Sequence, residues 1–438
     1  MTATSPITTN PEFTGRPGAV LERLHHLYPA LIDLSLGRLE ILLARLGHPE
    51  RHLPPVIHVA GTNGKGSTCA SLRAIAEASG WTAHVATSPH LVDITERFRI
   101  AGELVSDAAL TGTLEEIERV NAGSPITVFE VLTAASFLLF SRHPADLAVI
   151  EVGLGGRFDA TNVIPPPAAC IITAISMDHE AFLGDSIQSI AGEKAGIIKP
   201  GTPVVTGCQL EPVLAVIADE AARVGAPLLV RDRDWSIRPA GASLHYTDGD
   251  GTLDLPLPAL LGSHQVENAG LAVAALRAAK LPVPARGWAG LAMTAWPARM
   301  QRLTGRLAAG LPEGWELWLD GGHNPGAAVV LSEVLAGWTD RPVHLVIGMK
   351  QGKDAQGFLL PLLERADTAH AVAEPGQHLA LPVEAIVAAS GGRATPGPTV
   401  VEALSSIIAA SRPAGRILIC GSLYLAGEVL KADGWQPS

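Results

Sequence analysis

One lysine set among glycines, directly after a short apolar run, carries the most chemistry in this chain. Residues 57–68 read Ile57-His58-Val59-Ala60-Gly61-Thr62-Asn63-Gly64-Lys65-Gly66-Ser67-Thr68. Strand, glycine loop and helix in that order bring backbone N–H groups, a helix N-terminus and a cation to one point, which suits phosphate oxygens. The glycines allow the tight path and keep side chains out of the way. Lys65 would reach the terminal phosphates of a nucleotide, and Ser67 or Thr68 could face Mg²⁺. The match to the common P-loop pattern is imperfect. Gly66 stands where Ser or Thr follows the lysine, and Val59 takes the place of the first glycine. A ligand-free structural turn would rarely hold an unpaired lysine there.

Other apolar runs also end in polar residues. Leu147–Ile150 leads into Glu151 and the glycine-rich Val152-Gly153-Leu154-Gly155-Gly156-Arg157-Phe158-Asp159-Ala160-Thr161-Asn162. A carboxylate at that strand end suits Mg²⁺ handling. A further run ends in Ile175-Ser176-Met177-Asp178-His179-Glu180, where neutral His179 could ligate a metal. Lys194 sits in an apolar segment, and Ser88 follows a possible strand, Ala83–Ala86. In the second half, Trp318-Leu319-Asp320-Gly321-Gly322-His323-Asn324-Pro325 repeats the pattern. Asp320 could accept from ribose hydroxyls and His323 could face a transferred group. Taken singly, each string also suits a plain structural role, such as an exposed strand-end charge or a helix-end ion pair. In one parallel sheet, Lys65, Glu151 and His179 would converge on a single crevice.

The elements that must position them alternate in type. Strand candidates are Val56–Ala60, Leu147–Ile150, Cys170–Ile175, Pro203–Thr206, Trp315–Leu319, Val343–Ile347 and Arg416–Ile419. Helix candidates include Leu36–Leu46, Ser67–Ala78, Asp107–Val120, Thr133–Phe140, Glu267–Ala279 and Gly326–Leu335. Such alternation predicts α/β architecture with parallel sheets and crossover helices. Residues 231–262 are polar and turn-rich and read as a hairpin excursion. The boundary falls near Trp296-Pro297, giving domains 1–296 and 297–438 and an active site between them.

At 438 residues the chain exceeds one ordinary core, which agrees with two domains. A net charge of −11 argues against a nucleic-acid binder. Four scattered cysteines lack metal-ligand spacing, and reduced thiols fit a cytoplasmic location. No uninterrupted apolar stretch reaches about 18 residues, so no membrane span is expected. The polar start, Met1 to Arg16, lacks the apolar run of a signal peptide and reads as a loose tail.

Together the strings resemble the folylpolyglutamate synthase / dihydrofolate synthase family, relatives of the Mur ligases. The matching segments are HVAGTNGKGST at 58–68, TSPHL at 87–91, EVGLGGRFDATN at 151–162 and MDHEAFLGDSI at 177–187. They continue with EKAGIIKPG at 193–201, HQVENAGLA at 264–272, WPARMQ at 296–301 and DGGHNP at 320–325. Gly66 after the lysine favours the folate branch. The resemblance implies a P-loop-type N-terminal domain with a mostly parallel sheet and flanking helices, and a smaller Rossmann-like α/β domain after it. It implies an ATP-dependent amide ligase that adds L-glutamate to dihydropteroate or to the γ-carboxylate of a reduced folate through an acyl phosphate. The expected enzyme is a bifunctional cytoplasmic monomer.

By the same resemblance, Thr62, Asn63, Gly64, Lys65, Gly66 and Ser67 hold the phosphates, and Asn268, Arg299 and Asp320 contact ATP. Ser88, Glu151 and His179 hold Mg²⁺. Lys194 takes the place of a carbamylated lysine that would ligate a second Mg²⁺. Lys65, Lys194 and His323 would be catalytic. The pterin would meet Ile32, Asp33 and Leu34, then Phe129 and Glu130, then Phe158, Asp159 and Ala160. A flat pterin wants an aromatic face and a carboxylate for its amino-pyrimidine edge. Phe129 equally suits core packing. The family's Pro-Gly-Arg reads Pro297-Ala298-Arg299, its Asp-Gly-Ala-His reads Asp320-Gly321-Gly322-His323, and Thr95 stands where Asn is common. Alternatives are a Mur-type or cyanophycin-type ligase acting on another carboxylate, and a non-catalytic ATP-binding regulator.

Overall fold

The computed structural model describes residues 14–28, 33–410 and 413–438. Ile32 and most of the stretch read as a loose tail lie outside them. The part of that stretch within them enters a helix, Gly15–His25.

Eight strands form the first sheet: β1 (Val56–Ala60), β2 (Ala83–Ala86), β3 (Phe98–Ile100), β4 (Glu103–Leu104), β5 (Leu147–Glu151), β6 (Ala169–Ile172), β7 (Val204–Thr206) and β8 (Leu228–Val230). Their order is β4-β3-β2-β5-β1-β6-β7-β8. Only β2–β3 and β3–β4 pair antiparallel. Strands β1, β5 and β6 are buried along their whole length, which is why they read as continuous apolar runs. Register sets Glu151 beside Val59, so the carboxylate and the glycine loop leave the sheet at one edge. The strand order also reverses about β1, the place where open α/β sheets collect ligands.

Helices cover both faces. Leu72 and Ile75 of the Lys65–Ser79 helix pack with Leu271 and Val273 of the Ser263–Ala278 helix on one side. Leu132 and Phe137 of the Val128–Arg142 helix close the other. Each such side chain stabilises the fold by roughly 1.5–3 kcal/mol over an exposed one. The Val128–Arg142 helix begins five residues before the expected Thr133. A capping box, Thr127 with Glu130, starts it there.

The stretch 231–262 holds three strands, not a lone hairpin: β9 (Trp235–Ala240), β10 (Ser243–Asp248) and β11 (Gly251–Pro256), all antiparallel. Trp235, Ile237 and Tyr246 join the core of the first domain. Gly270 lets them approach the Ser263–Ala278 helix, because a Cβ there would meet Ile237 at 2.7 Å.

The second domain carries β12 (Gln301–Arg302), β13 (Glu316–Leu319), β14 (Val343–Ile347), β15 (Thr368–Ala371), β16 (Ala394–Pro396) and β17 (Arg416–Cys420). Their order is β12-β13-β17-β14-β15-β16, with only β12–β13 antiparallel. Its own cores flank this sheet. Among the described residues no helix is long and apolar enough to cross a membrane.

His58, inside β1, is fully buried, and Nε2 meets the Thr161 hydroxyl at 2.9 Å. Burial, then the Lys199 charge, pushes its pKa from 6.5 down to about 3. The neutral ring is therefore favoured in the folded state, and stability falls as pH drops from about 6.5 toward 3, by roughly 1.4 kcal/mol per pH unit for one such group. Denaturant melts at pH 4 and pH 7 should show that loss, and His58→Asn should shrink the difference. An unchanged difference would remove His58 from the acid response.

Candidate active site

The chain leaves β1 through Gly61 (φ 146°) and turns into the helix at Gly64 (φ 89°), both in conformations that favour glycine. A Cβ at Gly64 would also strike the Asn268 amide. The amides of Thr62 and Asn63 both donate to the Ala174 carbonyl, at 3.0 and 3.1 Å. The Thr62 hydroxyl donates to the Ser176 carbonyl. This pair therefore fixes the loop. The first helical bond runs from Thr68 N–H to the Gly64 carbonyl, so the amides of Gly64, Lys65, Gly66 and Ser67 precede it and form the donor set of a helix N-terminus. Lys65 Nζ curls over the loop to the carbonyls of Gly61 (3.2 Å) and Thr62 (3.3 Å).

Gly66, the departure from the common P-loop, lies under the Trp296 indole; a Cβ there would meet Nε1 at 2.7 Å. Gly66→Ala should overpack this contact, at a cost of about 1–3 kcal/mol. Calorimetry should show a lower melting temperature. An unchanged one would mean that the indole yields freely.

Around the loop stand the other predicted groups. Glu151 is buried and accepts the Ser88 N–H at 3.3 Å. Burial raises its pKa, while Lys65 opposes the shift. Lys194 is 5% exposed and donates to the Gly61 carbonyl at 2.9 Å. Burial, then the neighbouring Lys65 charge, lowers its pKa to about 7. Gly156 permits this approach, since a Cβ would lie 2.6 Å from the Glu193 carbonyl. Burial, followed by the Lys353 charge, holds His179 at about 3, so its imidazole is neutral. A neutral imidazole, a carboxylate and a hydroxyl suit a divalent cation.

Asp178, beside His179, is the hub between the domains. Its carboxylate accepts from Lys353 Nζ and Asn324 Nδ2, and His323 Nε2 lies 3.6 Å away. Burial opposes ionisation there, but His323 and Lys353 outweigh it and hold the carboxyl well below its usual range. Asn324 also exchanges amide hydrogen bonds with Asn63, at 2.9 and 3.1 Å. Asp178 and Lys353 carried no role in the sequence reading. Lys353 stands 175 residues away in the chain, and only folding brings it to Asp178.

On the second domain, the Asp320 carboxylate accepts from the amides of Met300 (2.8 Å) and Gly322 (2.7 Å), so it braces the loop that presents Arg299. His323 Nδ1 donates to the Gly321 carbonyl at 2.9 Å. Asn268 Nδ2 donates to Gln265.

On the far wall, Asp33 accepts from the Tyr28 hydroxyl (2.6 Å) and from Arg38 (2.9 Å). Glu130 is buried, and Phe129 lies against Gly153. Asp159 is engaged by the amides of Leu154 and Thr161, so it shapes the loop rather than offering a free carboxylate. Phe158, 45% exposed, stands at the rim. Asp33, Leu34, Phe129, Glu130, Phe158, Asp159 and Ala160 line one cavity of about 580 Å³ with the glycine loop, Glu151, His179 and Lys194, and Arg299, Asp320, His323 and Lys353 complete it from the second domain.

Comparison with known proteins agrees with this plan. The Mur ligase middle domain matches residues 59–206, and the dihydrofolate synthetase C-terminal domain matches 312–432. The folylpolyglutamate synthase of Lacticaseibacillus casei is 35% identical over 429 residues, 92% of this chain and 96% of that protein. The chain belongs to the folylpolyglutamate synthase / dihydrofolate synthase family. As a member it is an ATP-dependent ligase. The dihydrofolate synthase/folylpolyglutamate synthase of Escherichia coli K12 is 34% identical, with 97% of both chains covered. Escherichia coli FolC in complex with DHPP and ADP superposes with a TM-score of 0.86 at 33% identity, over 97% of this chain and 99% of that one. A bifunctional synthase with Mn, AMPPNP and L-glutamate bound gives 0.84 at 33% identity, over 96% and 98%.

Departures from the synthase family pattern acquire physical content here. Ala298 adopts φ 53°, a left-handed conformation that the family's glycine takes without strain and an alanine takes at roughly 1–2 kcal/mol. At Gly322 an alanine Cβ would stand 3.0 Å from both Asp320 Oδ1 and Leu331. Glycine in this ligase leaves that contact relaxed.

Proposed function

We propose that this ligase activates a carboxylate of a pterin-bearing acceptor, dihydropteroate or a reduced folate, with ATP and joins it to the amine of L-glutamate. One observation carries the reading: a single cavity gathers the glycine loop, Glu151, Lys194 and the Asp33–Glu130 wall from one domain, and Arg299, His323 and Lys353 from the other. The names of the relatives, and the DHPP, ADP and L-glutamate held by solved neighbours, support the same chemistry. We divide the chain at 296/297, supported by β12 opening the third sheet at Gln301.

In this reading an oxygen of the acceptor carboxylate attacks the γ-phosphorus, and ADP leaves with the bridging oxygen. The glutamate amine then attacks the acyl carbon, phosphate departs and the nitrogen loses a proton. The amides of Gly64 to Ser67 and Lys65 hold the phosphates, over a loop fixed by Thr62 and Asn63. Asn268, Arg299 and Asp320 build the nucleotide side. Ser88, Glu151 and neutral His179 would hold Mg²⁺, and a carbamate on Lys194 a second ion. Bound there, Mg²⁺ supplies charge neutralisation at phosphate oxygens. Leu34, Phe129, Phe158 and Ala160 supply apolar surface for the ring, and Asp33 and Glu130 its polar edge. His323, held by Gly321 through Nδ1, turns Nε2 toward Asp178 at the domain gap. Catalysis rests on positioning and electrostatics.

Purified protein should release phosphate only with acceptor, L-glutamate and Mg·ATP together. Well-folded protein that turns over neither dihydropteroate nor a reduced folate would refute the acceptor. Turnover of a UDP-linked peptide instead would favour a Mur-type substrate.

A further inference from the structure

Two acidic groups on the cavity wall, Asp33 in the stretch before the Gly37–Arg45 helix and Glu130 in the Val128–Arg142 helix, share one cation. Arg38, on the Gly37–Arg45 helix, donates Nη1 to Asp33 Oδ2 at 2.9 Å and Nε to Glu130 Oε2 at 3.2 Å. Its guanidinium also lies over the Tyr28 ring, 4.8 Å from the centroid, while the Tyr28 hydroxyl donates to the same Asp33 oxygen at 2.6 Å. Glu130 Oε2 takes a second bond from the Thr127 amide at 2.7 Å. That leaves Glu130 Oε1 buried and without a partner among the described residues. Asp33 and Glu130 line the cavity, and Arg38 stands behind them.

This geometry has one consequence for recognition. Two carboxylates hydrogen-bonded to one guanidinium are fixed in direction. Without the cation they would repel each other and swing apart. A planar fork can span two acids in a way that a point charge cannot. A directed carboxylate with an unpartnered oxygen accepts from N–H donors of a flat heterocycle.

We propose that Arg38 is a positioning residue for the acceptor: by holding Asp33 and Glu130 together it aims the Glu130 carboxylate at the N–H donors of an amino-pyrimidinone ring. The ring class rests on the function proposed above; the clamp itself rests on the geometry. Arg38 touches neither the nucleotide loop nor the metal candidates, so its effect is confined to acceptor binding.

Steady-state kinetics of Arg38→Met and Arg38→Lys test this, with dihydropteroate as acceptor. Arg38→Met should raise the acceptor KM at least tenfold. The KM values for ATP and L-glutamate should stay within about twofold, and kcat within a few-fold. Arg38→Lys should restore only a minor part, because one ammonium cannot bridge both acids. In an Arg38→Met/Glu130→Gln double variant the added loss should be smaller than that of Glu130→Gln alone, since the two act through one contact. Should Arg38→Met fold poorly, the Arg38→Lys and Glu130→Gln pair gives the same cycle. An unchanged acceptor KM in Arg38→Met, beside a wild type that turns over dihydropteroate, would overturn this inference alone. So would equal rises in all three KM values, or full rescue by lysine. A wild type inert toward every pteridine acceptor would overturn it together with the proposed function.

Discussion

Lys65→Ala should lower turnover by roughly a thousandfold or more while leaving the fold intact, on the scale of losing one preorganised charge at a reacting oxygen. Among the described residues the lysine's partners are two loop carbonyls, at 3.2 and 3.3 Å. Neither is tied to Lys65 alone: the loop is also held by Thr62, Asn63 and the Ala174 carbonyl. Removing the ammonium therefore costs little stability and takes away the cation that the helix itself carries in its first turn. Calorimetry should give a native transition, and rapid-quench assays should show no burst of ADP. Normal turnover in a natively folded variant would strip Lys65 of its role.

Lys194→Ala should reduce turnover by about a hundredfold or more, and bicarbonate with a short carboxylic acid should restore part of it. An ammonium buried beside Lys65 would pair two like charges in a low-dielectric site. Burial and Lys65 together lower the amine to about 7, so much of it is neutral and nucleophilic near that pH. In the proposed carbamate its lone pair would add to the carbon of CO₂ with loss of one N–H proton, giving an anion that Lys65 could neutralise. The deletion leaves a slot in which a small carboxylate can stand. Equal activity of variant and wild type would contradict the carbamate, and so would extra mass absent from Lys194 in gently handled protein.

What the sequence reveals of this architecture depends on how local each cause is. Strands β1 and β14 lie where their apolar runs predict, because parallel strands are buried on both faces. The expected strand Cys170–Ile175 ends at Ile172, since Thr173 to Ile175 turn away to carry Ala174, whose carbonyl anchors the glycine loop. The expected helix Thr133–Phe140 starts instead at Val128, where the Thr127/Glu130 capping box, a local signal, opens it. The strand-end acids and Lys65 are readable because each follows its own run. Asp178, Lys353 and Arg38 are not. Arg38 reaches Glu130 across 92 positions and Lys353 reaches Asp178 across 175, and no local pattern encodes a contact at that separation. Asp159 and Asp320 carry a second cause that no local pattern reveals: each carboxylate also accepts from the chain's own amides.

The Asp178 hub has a consequence for how the molecule breathes. One carboxylate of the first domain grips a lysine and an asparagine amide of the second, with a histidine close by. Parting the two halves must strip an anion of these companions and expose them separately to water. Dissolved ions shield such charges well only once they are apart. Raising ionic strength should thus lower the energy of the gaping form while leaving the shut form almost untouched. Where departure of products limits the cycle, this synthase would run faster in moderate salt, a behaviour opposite to that of enzymes which merely attract their substrates by charge.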